Sequence, residues 1–111
     1  MTDAQPTTTK PKRAPRKPAD PLLKILDDIL RAEIAKAPIA VPPPAFRRPI
    51  NDGRAAAWGR EYDRGRALDA LLLSLTFEVG AALNPNEARY SLVQLAAAAL
   101  AEVQRIDEAG A

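Results

Sequence analysis

The 111-residue chain contains no cysteine and no histidine. Without cysteine it can have no disulfide, no thiolate nucleophile and no zinc–thiolate centre. Without histidine it lacks the commonest general base near neutral pH and the commonest transition-metal ligand. Aromatic side chains are few: Phe46, Trp58, Tyr62, Phe77 and Tyr90. No lysine follows Lys36. The longest apolar stretch is interrupted by Asp69 and Glu78, and the N-terminus lacks the apolar core of a signal peptide. Glycine-rich phosphate loops and metal-ligand spacings are also absent. The acid pairs Glu61/Asp63 and Asp107/Glu108 lie among other charges on helix faces, a setting that does not suit a catalytic dyad. The expectation is a cytoplasmic, non-enzymatic protein with no catalytic residue, metal, cofactor or small-molecule substrate, and no membrane association.

What is present is unevenly distributed. Hydrophobic residues make up 47% of the chain, but alanine supplies close to half of them, so the available core is smaller than that figure implies. Net charge is +2. Residues 1–21 carry Lys10, Lys12, Arg13, Arg16 and Lys17 against Asp3 and Asp20, whereas residues 50–111 carry six arginines against nine acids. A basic tail preceding a mildly acidic body points to acidic partners for the tail.

Residues 1–19, MTDAQPTTTKPKRAPRKPA, combine threonine, proline and basic residues with no large apolar side chain after Met1. Such a segment cannot offset the entropy of ordering and reads as a disordered basic arm. Residues 20–37 read as an amphipathic helix. Asp20 is the N-cap and Pro21 the first helical residue. Leu22, Leu23, Ile25, Leu26, Ile29, Leu30 and Ile34 form its apolar face, and Pro38 ends it. Residues 38–50 contain Pro42-Pro43-Pro44 and read as a stiff linker, with Ile39, Val41 and Phe46 available to pin it down.

Residues 51–109 read as a long antiparallel helical hairpin. Its first arm starts at Asn51 or Asp52 and runs to Leu83, although Gly59 and Gly65 weaken it. A stripe of Trp58, Tyr62, Leu68, Leu72, Leu75 and Val79 follows that arm. Asn84-Pro85-Asn86-Glu87 is the turn and restart, with an N-cap, a proline at the first helical position and a glutamate three residues after the cap. The second arm places Leu92, Leu95, Ala96, Ala99, Val103 and Ile106 on its inward side. Ser91, Gln94, Glu102 and Arg105 fall on the other side. The expected fold is therefore all-α: a long hairpin plus one amphipathic helix, preceded by the arm.

The first arm is apolar on more than half its circumference between Leu68 and Leu83, so one neighbouring helix cannot cover it. A small alanine-rich domain with no disulfide or metal has oligomerisation as its remaining stabilising device. A homodimer is expected, with either Leu71, Leu73 and Phe77 or the first helix, through Leu22, Leu26 and Ile29, in its interface. Charge asymmetry is the one feature that names a class of partner. The leading function is thus an oligomeric accessory or regulatory protein that binds nucleic acid electrostatically through Lys10, Lys12, Arg13, Arg16 and Lys17. The alternative is an adaptor or inhibitor that binds a larger protein through the Leu22–Ile34 helix and the hairpin surface, or a structural component of a larger, phage-like assembly.

Overall fold

A computed structural model describes residues 20–38 and 40–110. The arm expected at residues 1–19, and Ile39, lie outside the described residues. The rest is all-helical, with α1 at Pro21–Arg31, α2 at Arg47–Gly65, α3 at Leu68–Gly80 and α4 at Pro85–Gly110. A short 3-10 turn, Glu33–Lys36, follows α1. There is no strand among the described residues. Helix α3 packs against both α2 and α4, and α1 touches α4.

The start of α1 follows its local sequence. The Asp20 carboxylate accepts the Leu22 N–H at 3.0 Å, and Pro21 needs no partner for a missing donor. Asp27 accepts from Arg31 at 2.9 Å, the four-residue pairing its spacing predicts. The helix is shorter than expected, however. Ala32 turns extended, and its N–H closes on the Ile29 carbonyl. Beyond it, Ile34 is the only large apolar side chain before Pro38 and is largely exposed, so no burial repays a further α-turn.

Helix α2 begins at Arg47, four residues before the expected start. Pro49 falls in its first turn, where backbone N–H groups have no intrahelical acceptor and proline is tolerated. Asn51 is therefore not a cap of its own helix. It lies within α2, and its side-chain amide donates to the Gly80 carbonyl at the end of α3 at 3.1 Å. One of the orphan carbonyls of the α3 C-terminus is thus satisfied from the neighbouring helix.

The single helix expected from Asn51 to Leu83 is two helices. Arg66 adopts φ 56°, ψ 27°, its N–H bonds to the Tyr62 carbonyl at 2.7 Å, and α3 starts two residues later. This left-handed cap reverses the chain, so α2 and α3 form an antiparallel hairpin of their own. The Arg54 guanidinium sits 5.6 Å from the centre of the Phe77 ring across that hairpin. Arg66 itself lies 5.0 Å over Tyr62, instead of pairing with Asp69 as the three-residue spacing suggests. A left-handed conformation costs an L-residue roughly 1–2 kcal/mol that glycine avoids. Arg66→Gly is expected to raise the thermal midpoint by a few degrees in a differential scanning experiment, the lost ring contact offsetting part of the gain.

The second turn forms as its sequence predicts. Asn84 Oδ1 accepts the Glu87 N–H at 2.9 Å, and the Glu87 carboxylate reaches back to the Leu83 N–H at 2.9 Å. Helix α4 then returns along α3. Ser74 and Ala70 on α3 and Ser91 on α4 are all buried.

Candidate interaction surface

The interior of this fold is small. Ile25, Ala55 and Ala70 are the buried apolar residues among those described, and only Ile25, 2% exposed, is large. Against these, sixteen large apolar or aromatic side chains are more than a third exposed. Apolar surface of that extent on a small body is characteristic of interaction sites.

The exposed residues are arranged by their helices. On α1, the spacing 22, 26, 29 places Leu22, Leu26 and Ile29 in one row beside Ile25. Ile25 is the anchor of this helix, whose neighbour is α4. Leu26 and Ile29 remain 39% and 47% exposed, and Leu23 and Leu30 project further still. The polar side carries Lys24–Asp28 and Asp27–Arg31, two intrahelical pairs that are charge-neutral together. Helix α1 therefore offers a half-covered apolar face backed by a neutral, solvated one.

The α3 residues expected at an interface behave differently. Leu71, Leu73 and Phe77 are half-buried, and Phe77 lies under the Arg54 guanidinium from α2. The hairpin that α2 adds covers part of what the sequence alone leaves open on α3.

On α4 the inward face differs from the expected one. Ser91 is buried and Leu95, Ala98 and Glu102 are half-buried, whereas Leu92, Ala96, Ala99, Val103 and Ile106 are exposed. The inward row thus mixes polar with apolar side chains, and the buried residues of α3, the helix it packs against, are Ala70 and Ser74. Leu95 alone is shared by the expected and observed faces. Near the helix end Glu102 is bonded by Arg105, whose guanidinium holds the carboxyl below its ordinary value. This contribution is present above the ordinary carboxylate range and is lost as pH falls through the depressed value.

Two further surfaces hold no reactive chemistry. Trp58, Arg60, Glu61, Arg64 and Asp69 line an open depression of about 590 Å3 at the α2–α3 corner. Its charges are of both signs, and Glu61 and Arg64 pair with each other. Pro43, Pro44, Arg48, Val79, Leu83 and Pro85 line a groove of about 520 Å3 where the proline strap crosses the α3–α4 turn. Among the described residues no cluster of acids could hold a metal ion, and no helix is long and apolar enough to cross a membrane. The basic residues Lys10, Lys12, Arg13, Arg16 and Lys17 lie outside the described residues.

The class defined by this fold is an all-α protein with an exposed, ordered apolar surface. No protein-family model, curated protein or solved structure matches the chain.

Proposed function

We propose that this protein is a non-enzymatic adaptor that docks on a larger protein through the apolar face of α1. The observation that carries the reading is the row Leu22, Leu26 and Ile29, which is ordered in a helix yet left about half open. A helix-in-groove complex uses such a row as its anchors. The stiff strap of Pro42, Pro43 and Pro44 spaces α1 from α2, leaving α4 as its neighbour among the longer helices. The test is to replace Leu26 and Ile29 together by aspartate. Retained helicity with loss of the captured partner supports docking through α1. Melting of the whole fold makes this row core and contradicts it.

A second reading rests on charge. Five cations within Lys10–Lys17 supply a phosphate-binding arm, and the body carries a slight acidic excess that would keep it off the nucleic acid. Deleting residues 2–19 is expected to abolish binding to random-sequence duplex DNA without changing helicity. The intact chain's log–log salt slope is expected to be no steeper than about −4.5, the limit for five phosphate contacts. Binding that survives the deletion contradicts the arm.

A further inference from the structure

Helix α4 carries an exposed row with the spacing of a coiled-coil seam. Leu92, Ala96, Ala99, Val103 and Ile106 are separated by four, three, four and three residues, an apolar repeat of 3.5. Leu92, Val103 and Ile106 are 50%, 40% and 55% exposed with α1 and α3 in place, and both alanines are exposed. The row spans about 21 Å of helix. Neither neighbour matches α4 in length: it has 26 residues, whereas α3 has 13 and α1 has 11. Its second half therefore runs on past the start of α3.

We propose that this seam is covered by the same seam of a second copy of the chain, antiparallel, with the two-fold axis at Ala99. The order of side-chain sizes favours this occupant. About Ala99 the row reads large, small, small, large, large, so an antiparallel copy sets each Leu92 against the partner's Ile106 and each Ala96 beside the partner's Val103. The two Ala99 residues meet at the crossing point, where small side chains let the backbones come close. A two-fold contact of this kind is closed and uses the same patch on both chains.

Charge selects the direction. Arg89 lies one turn before Leu92, and Asp107 and Glu108 follow Ile106. All three are exposed, and none takes part in an ion pair among the described residues. Arg89 and Asp107 fall on the same flank of the seam, 60° from its centre on a helical wheel of 100° per residue. In an antiparallel pair this flank meets itself, which brings each Arg89 close to the level of the partner's Asp107. A parallel pair would set this flank against the opposite one, where Ala88 and Ser91 lie at the level of Arg89 and no acid answers it. Antiparallel alignment also opposes the two helix dipoles favourably. The proposal rests on α4 alone, so it stands or falls separately from docking by α1.

The chain's lack of cysteine makes the test direct. In the full-length protein, Ala99→Cys is expected to give a covalent dimer in high yield with a short bismaleimide. Leu92→Cys alone is expected to give little, and an equimolar mixture of the Leu92→Cys and Ile106→Cys variants is expected to give the mixed dimer. Arg89→Glu is expected to raise the dimer dissociation constant about tenfold, and Arg89→Glu combined with Asp107→Arg to restore it. Ala99→Glu is expected to sediment as a monomer and, with the contact between copies lost, to unfold at a lower temperature than the wild-type protein. Wild-type protein that sediments as a monomer at tens of micromolar overturns the proposal. So does a Leu92→Cys variant that crosslinks to itself as readily as the Ala99→Cys variant does.

Discussion

Replacing Ile25 by alanine is expected to release α1 from α4 at a cost of about 2–4 kcal/mol, the range for truncating a fully buried isoleucine. Among the described residues Ile25 is the one large side chain that the fold encloses almost completely, and α1 has few other contacts with the body. Its row neighbours Leu22, Leu26 and Ile29 are all partly exposed, so Ile25 carries most of this helix's burial. The loss is therefore expected to be local. In hydrogen-exchange measurements, amides of Pro21–Arg31 should lose their protection while those of α2 and α3 keep theirs. Leu30→Ala, on the exposed side of the same helix, should change neither by more than about 0.5 kcal/mol. Equal loss of protection across all four helices would mean that α1 is an integral part of the core.

The second large effect concerns Gly80. A Cβ placed there would lie 2.3 Å from the Asn51 amide nitrogen and 2.9 Å from Asn51 Cγ. Asn51 must swing away, which breaks its bond to the Gly80 carbonyl. Gly80→Ala is expected to cost about 1–2 kcal/mol net, because a lost hydrogen bond and overpacking outweigh the better helix propensity of alanine. In an Asn51→Ala background both penalties vanish and only the propensity gain is left. The same Gly80→Ala change is then expected to stabilise by up to about 1 kcal/mol. A double-mutant cycle by urea unfolding measures this reversal of sign. Equal costs in the two backgrounds would show that Asn51 and Gly80 are not coupled.

These two residues also show where the sequence was legible. The caps at Asp20-Pro21 and Asn84-Pro85-Asn86-Glu87 are local devices, in which a few neighbouring residues satisfy the first backbone donors. They can be read without knowing what packs on the helix. Asn51 has the same chemistry but spends it on a carbonyl 29 residues away. Only the tertiary fold decides that. The break between α2 and α3 was hidden for a related reason. Gly65, the residue suited to a left-handed cap, stays helical, and Arg66 next to it takes the positive φ.

The orientation of α4 is the most instructive difference. Hydrophobicity alone favours Leu92, Ala96, Ala99, Val103 and Ile106 as the inward row. The hairpin instead turns inward the side containing Ser91, Leu95 and Ala98, as its α3 partner helix buries Ser74 and Ala70. The more hydrophobic row is left outside. Its exposure is the basis for placing a second copy on α4, and the half-open row of α1 is the basis for docking on another protein.

The pairing of two copies through α4 carries the central claim: the body becomes stable by association, because its own interior is small. The most direct measurement is thermal unfolding of the full-length chain over a hundredfold range of protein concentration, with sedimentation at the same concentrations. A folded dimer that dissociates as it unfolds gives a midpoint that rises steadily with concentration, with a dimeric mass below the transition. A sharp, cooperative midpoint independent of concentration, with a monomeric mass throughout, would contradict the account.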